Sequence, residues 1–142
     1  MTDRRSLGIA VAAAATLIGL AALAVAPAAP PPAAGTVIVI VIRYSQFTPH
    51  EVVVPAGVPV TIRLVNDDPI DHEWIVGDEA VHAVHRVGTE PLHPDRPTEV
   101  VLPAMSSATT VVTFDRSGEL RFICHLPGHE AYGMIGTVRV EP

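Results

Sequence analysis

The reading of this chain turns on one stretch, Cys124-His125-Leu126-Pro127-Gly128-His129-Glu130-Ala131-Tyr132-Gly133-Met134. It holds the only cysteine of the 142 residues, a histidine five positions on, and a methionine five positions after that. A thiolate sulfur, an imidazole nitrogen and a thioether sulfur therefore come from a single loop. That donor set suits a metal that cycles between Cu(I) and Cu(II). Soft sulfur favours the reduced ion, imidazole tolerates both, and a weak axial thioether tunes the potential. A site with two imidazoles and one thiolate needs a second histidine from elsewhere. His72, in Asp71-His72-Glu73-Trp74, is the best-placed candidate.

Strand patterns flank this loop on both sides. Residues 135–140 read as a closing strand, and residues 119–124 alternate so that Leu120, Phe122 and Cys124 share a face. The cysteine is then delivered from the core side of a rigid strand, as a pre-organised ligand requires. Further upstream, residues 98–102 and 109–114 read as strands, with turns at 106–108 and 115–118. Residues 58–65 alternate cleanly, with Val60, Ile62 and Leu64 on one side and Thr61 and Arg63 on the other. Asn66-Asp67-Asp68-Pro69 is a turn cluster. Beyond it His72, Trp74 and Val76 share a face, which puts His72 at a loop–strand junction pointing with core residues.

Residues 36–43 form an unbroken β-branched run, which predicts a strand covered on both faces or partly covered by a partner. Phe47 and Pro49 mark a bend, residues 52–54 a short strand, and Pro55-Ala56-Gly57 a turn. No segment has sustained helical periodicity. The pattern predicts an all-β fold, a two-sheet Greek-key β-sandwich of seven to eight strands.

The N-terminal residues stand apart from this pattern. Arg4 and Arg5 precede residues 7–26, which carry no charge and are rich in Ala, Leu, Ile and Val. Residues 1–28 read either as a signal peptide cut after Ala28 or as a membrane anchor with the arginines held inside. Residues 29–35 read as a Pro/Ala-rich linker, and residues 36–142 as the folded domain. Export to the periplasm or cell exterior follows, with the domain released or anchored at the outer face of the membrane through residues 7–26. A single cysteine in an exported chain has no internal disulfide partner, and a metal thiolate resolves that oddity. The net charge of −6, with no lysine at all, excludes a nucleic-acid partner.

The loop resembles that of the cupredoxin, or type-1 (blue) copper, family, in which Cys-x4-His-x4-Met leads into the last strand. Phe47, Pro49, Val52, Val54 and Gly57, then Val60, Ile62, Leu64, Asn66 and Asp67, are similar to the family's opening strands. The resemblance spans residues 36–140. It implies one copper ion held by His72, Cys124, His129 and Met134, with no open position for a substrate. It further implies a monomeric single-electron carrier rather than an enzyme. Redox proteins would dock transiently beside His129, on an apolar patch supplied by Leu126, Pro127, Ala131, Tyr132 and Ile135. Gly128, Gly133 and Gly136 would give the loop freedom to wrap the ion. Glu73 departs from the family pattern, which places Asn or Ser after the first histidine to pin the ligand loops near the sulfur. Either another group does that work or Asn66 or Asp71 substitutes.

Residues 77–97 carry His82, His85 and His93. They read as a solvated loop between sheets, although His82 and His85 would share one face of a short helix. A second copper site there would favour the alternative function, a protein that stores or delivers copper outside the cell membrane. An oxidase reading fails at Ile123, because oxidases of this kind flank the blue-copper cysteine with histidine on both sides.

Overall fold

The computed structural model describes residues 35–88, 93 and 95–142. The expectations for residues 1–34, the signal or anchor segment and nearly all of the linker, fall outside these.

Nine strands and one helix occur among the described residues. They are β1 (Val37–Arg43), β2 (Gln46–Thr48), β3 (Glu51–Pro55), β4 (Pro59–Asn66), β5 (His72–Gly77), α1 (Glu79–Arg86), β6 (Glu99–Leu102), β7 (Ser107–Thr113), β8 (Gly118–Ile123) and β9 (Ile135–Glu141). One sheet has the order β2-β1-β4-β7 and the other β3-β9-β8-β5-β6. β1 pairs parallel to β4, and β3 parallel to β9; the remaining pairs are antiparallel. The two-sheet sandwich is therefore as the strand pattern predicts. The ninth strand is β2, too short to show a period and read from sequence as a bend.

The two inner faces meet in one core. Ile40, Ile42, Val60, Ile62 and Leu64 contribute from the first sheet, and Trp74, Phe122 and Val138 from the second. The Phe122 ring meets Phe47 edge-on at 5.0 Å and lies 6.2 Å from Trp74. β1 is covered on one face only. Ile40 and Ile42 are fully buried, whereas Val37 and Val39 are exposed. Its unbroken β-branched run reflects fit to a pleated strand rather than burial on both sides.

The second sheet is buried on both faces near its centre. Ile75 and Ile123 pair across β5 and β8 and are fully buried, yet lie outside the main core. α1 packs on β5 at this outer face. The approach is close: a Cβ on Gly77 would lie 2.6 Å from the Val81 side chain. This helix corrects the expectation of a solvated loop. Asp78 caps it, accepting a hydrogen bond from the Val81 N–H, and Arg86 stands in the last turn.

Candidate metal centre

The β5 and β8–β9 segments bring the predicted ligands to one end of the sandwich. His72 opens β5 and is fully buried. Cys124 follows the end of β8, also fully buried, and its N–H donates to the Met134 carbonyl at 3.3 Å. Between them the chain turns twice with positive φ, at Gly128 (87°) and Gly133 (88°), where only glycine is unstrained. The His129 N–H donates to Leu126 O, and the Met134 N–H to His129 O, both at 3.0 Å. The loop is thus a closed set of short turns.

His129 Nδ1 lies 3.2 Å from both His72 Nδ1 and Cys124 Sγ. One donor atom from each of His72, Cys124 and His129 falls within 4.8 Å of the others, the single such group of three among the described residues. Met134 is fully buried beside them in the chain, tied by its backbone to both Cys124 and His129.

The surrounding groups fit a bound cation. His72 Nε2 lies 3.0 Å from Asp68 Oδ2. Asp68 also accepts the N–H groups of Tyr44 and Ser45 at 2.7 Å each. Burial alone would raise the Asp68 carboxyl, but the donors from Ser45, Tyr44 and His72 outweigh it and hold it below its usual value. An ionised carboxylate at that distance fixes the proton of His72 on Nε2. The Nδ1 lone pair is left facing the cluster, the arrangement of a metal-bound imidazole with its outer-shell carboxylate. Burial lowers His129, with His72 beside it a further cause, so its ring too is poised as a neutral donor. Burial pushes the Cys124 thiol up, against the pull of the Glu73 and Leu126 N–H groups. A thiolate in this site is stabilised by a bound metal, which is how such sulfur is ordinarily held ionised.

Sequence reasoning missed the role of Asp68. Tyr44 and Ser45 form the β1–β2 turn with φ of 54° and 53°, a left-handed pair without glycine or asparagine. The Asp68 carboxylate caps this turn and the first ligand together. The Glu73 question is also answered. The Glu73 backbone N–H, not its side chain, donates to Cys124 Sγ at 3.3 Å. Asn66 pins neighbouring loops instead, donating to Ile70, Leu102 and Pro103 carbonyls. Asp71 accepts from the Ala104 N–H.

Gly136 is a correction of a different kind. It does not free the loop: a Cβ there would lie 2.1 Å from the Phe122 ring, its partner across β8 and β9. Of the apolar residues expected beside His129, Pro127, Ala131 and Tyr132 are exposed, while Leu126 and Ile135 are half-buried.

His82 and His85 do lie together on α1, both buried, and both meet His125. His93 instead contacts Glu99, Nδ1 to Oε2 at 3.0 Å.

The sandwich and its donor cluster define a cupredoxin, and the chain belongs to that family: the model of the cupredoxin-like domain matches residues 11–137. The type-1 copper ion is the cofactor that this family and donor set imply. The chain is 27% identical over 136 residues to the copper-resistant cuproprotein CopI of Pseudomonas aeruginosa, covering 72% of this chain and 75% of that one. It is 32% identical over 100 residues to the copper-resistant cuproprotein CopI of Rubrivivax gelatinosus, covering 68% of this chain and 60% of that one. Among solved structures it resembles reduced auracyanin from Roseiflexus castenholzii, with a TM-score of 0.64 and 27% identity over 78% of this chain and all of that one. Auracyanin A, a blue copper protein from Chloroflexus aurantiacus, gives 0.60 and 26% over 75% and 99%.

Proposed function

We propose that this protein is an exported single-electron carrier whose copper is bound by His72, Cys124 and His129, with Met134 as the axial neighbour. The observation that carries this reading is the convergence of donor atoms from His72, Cys124 and His129 within 4.8 Å. A site already shaped for both oxidation states needs little rearrangement when one electron arrives or leaves. Copper supplies the redox change; the chain supplies a fixed donor set, a buried sulfur and a half-buried His129 as the route to the surface. Four protein donors leave no position for a substrate, so the protein is not an enzyme. Redox proteins dock transiently, as is usual for small electron-transfer interfaces, over His129 and the exposed Pro127, Ala131 and Tyr132. The apolar residues 7–26 support export, with release or anchoring outside the membrane.

A second reading, copper storage or delivery, is favoured by one observation: both curated relatives are copper-resistant cuproproteins. The copper-loaded protein, beside a Cys124→Ser variant, separates the readings. An intense visible band lost in the variant identifies the copper thiolate. Fast electron exchange with a redox protein while copper stays bound supports the carrier. Transfer of the ion itself to a chelating acceptor, with slow electron exchange, supports copper handling and overturns the carrier.

A further inference from the structure

A second set of imidazoles lies under α1, with His125 directly following Cys124 in the chain. His82, on α1, is buried at 1% exposure, and the side chain of His125, in the loop after β8, is 3% exposed. His82 Nδ1 and His125 Nε2 stand 3.0 Å apart. The two imidazole nitrogens of the first site stand 3.2 Å apart.

The outer nitrogens explain why the inner pair matters. His82 Nε2 lies 3.3 Å from the Arg121 carbonyl, which can only accept, so that nitrogen carries the proton and Nδ1 carries a lone pair. His125 Nδ1 lies 3.3 Å from Glu130 Oε2, buried and without a hydrogen bond. Glu130 forms an ion pair with Arg86, whose guanidinium lies 2.8 Å from it. If His125 turns its proton toward that carboxylate, its Nε2 lone pair faces the His82 lone pair across 3.0 Å. Two lone pairs at that distance call for a cation between them. The competing arrangement, an imidazole–imidazole hydrogen bond, keeps the His125 proton inside and leaves Nδ1 unpaired beside a carboxylate.

His85 lies beside the pair, but its nitrogens do not join theirs within 4.8 Å. Its ring stacks on His125, with centroids 5.8 Å apart and planes 8° apart. Its Nε2 is buried without a hydrogen bond, 3.7 Å from Glu99. Glu99 already receives Arg96 and His93. A surface hollow lined by Arg86, His125, Leu126 and Glu130 among others gives an ion a way in.

We infer that His82 and His125 form a second, two-imidazole binding site for a borderline divalent cation. Imidazole-only sites of this kind favour Cu(II) over the earlier first-row ions, with Zn(II) the nearest competitor. The site does not depend on whether the first copper carries electrons or is handed on.

The test uses the full chain already loaded with one copper, whose thiolate band reports an intact first site. A second equivalent of Cu(II), or of Zn(II) in a parallel arm, is then titrated in. The expected result is one further ion per chain. For Cu(II), an electron paramagnetic resonance signal distinct from the thiolate copper would show coupling to at least two imidazole nitrogens. His82→Ala should weaken this binding at least about 10- to 100-fold, the loss typical of merely removing an outer-shell partner, and leave the thiolate band in place. No second ion, or fewer than two imidazoles on it, would overturn the site and leave an ordinary histidine pair. Undiminished binding in His82→Ala would do the same. If His82→Ala disturbs the thiolate band, the nitrogen count on the parent protein decides the question.

Discussion

The Asp68 carboxylate and the His72 imidazole meet at 3.0 Å on the side of the ring that faces away from the other donors. The same carboxylate receives two backbone N–H groups from the Tyr44–Ser45 turn. His72 is therefore held not only by β5 but by a turn of the opposite sheet. Asp68→Asn keeps the shape and removes the charge. Copper affinity should fall about 10- to 100-fold, measured by competition with a chelator of known strength. Affinity unchanged within error would mean that β5 alone positions the ring.

Met134 is fully buried, so replacing it by leucine keeps the volume and should cost less than about 1.5 kcal/mol of stability. As the axial thioether, its loss withdraws a donor that supports Cu(II) more than an apolar side chain can. Met134→Leu should keep the intense thiolate band and raise the reduction potential. Protein-film voltammetry checks this, and an unmoved potential would assign the axial role elsewhere.

Gly136 faces Phe122 so closely that no side chain fits between them. Gly136→Ala should destabilise the fold by about 1–3 kcal/mol or more through overpacking, read from chemical denaturation. Combining it with Phe122→Leu should recover part of that loss, because the two positions share one space. Simple additivity would show that the clash relaxes elsewhere.

Glu99 supplies the pH dependence. Burial would raise its carboxyl, but Arg96 and His93 outweigh burial and hold it at about 2, against the usual 4.5. A depressed carboxylate contributes stability that is complete above about pH 4.5 and is lost as pH falls toward 2. The span corresponds to roughly 3 kcal/mol. Glu99→Gln should be less stable at neutral pH and should lose less on acidification across that window. Parallel curves for parent and variant would contradict it.

The donor cluster was legible because each of its members follows from a local rule. Cys124 and His129 declare themselves by spacing within one loop, and strand alternation places His72. What escaped depends on distance. Asp68 reads as one more turn residue, since nothing in its neighbourhood names Tyr44 and Ser45, which lie 24 and 23 positions away. Their turn carries no glycine or asparagine to announce it. The Asp78 cap was a usable signal for α1, but eight residues are too few for a period to stand out. His125 meets His82 across 43 positions, a pairing that no spacing rule reaches.

His72 and Cys124 are 52 positions apart in the chain, one on each side of α1. An ion held by both is a cross-link between distant segments, and it binds the folded chain far better than the unfolded one. Its stabilisation therefore grows with the logarithm of free copper over the dissociation constant, about 2.7 kcal/mol at a hundredfold excess. Copper-free molecules would open more often and meet proteases more readily than loaded ones. Lifetime itself then becomes a readout of metal supply: the protein would persist where copper is present and be cleared where it is scarce.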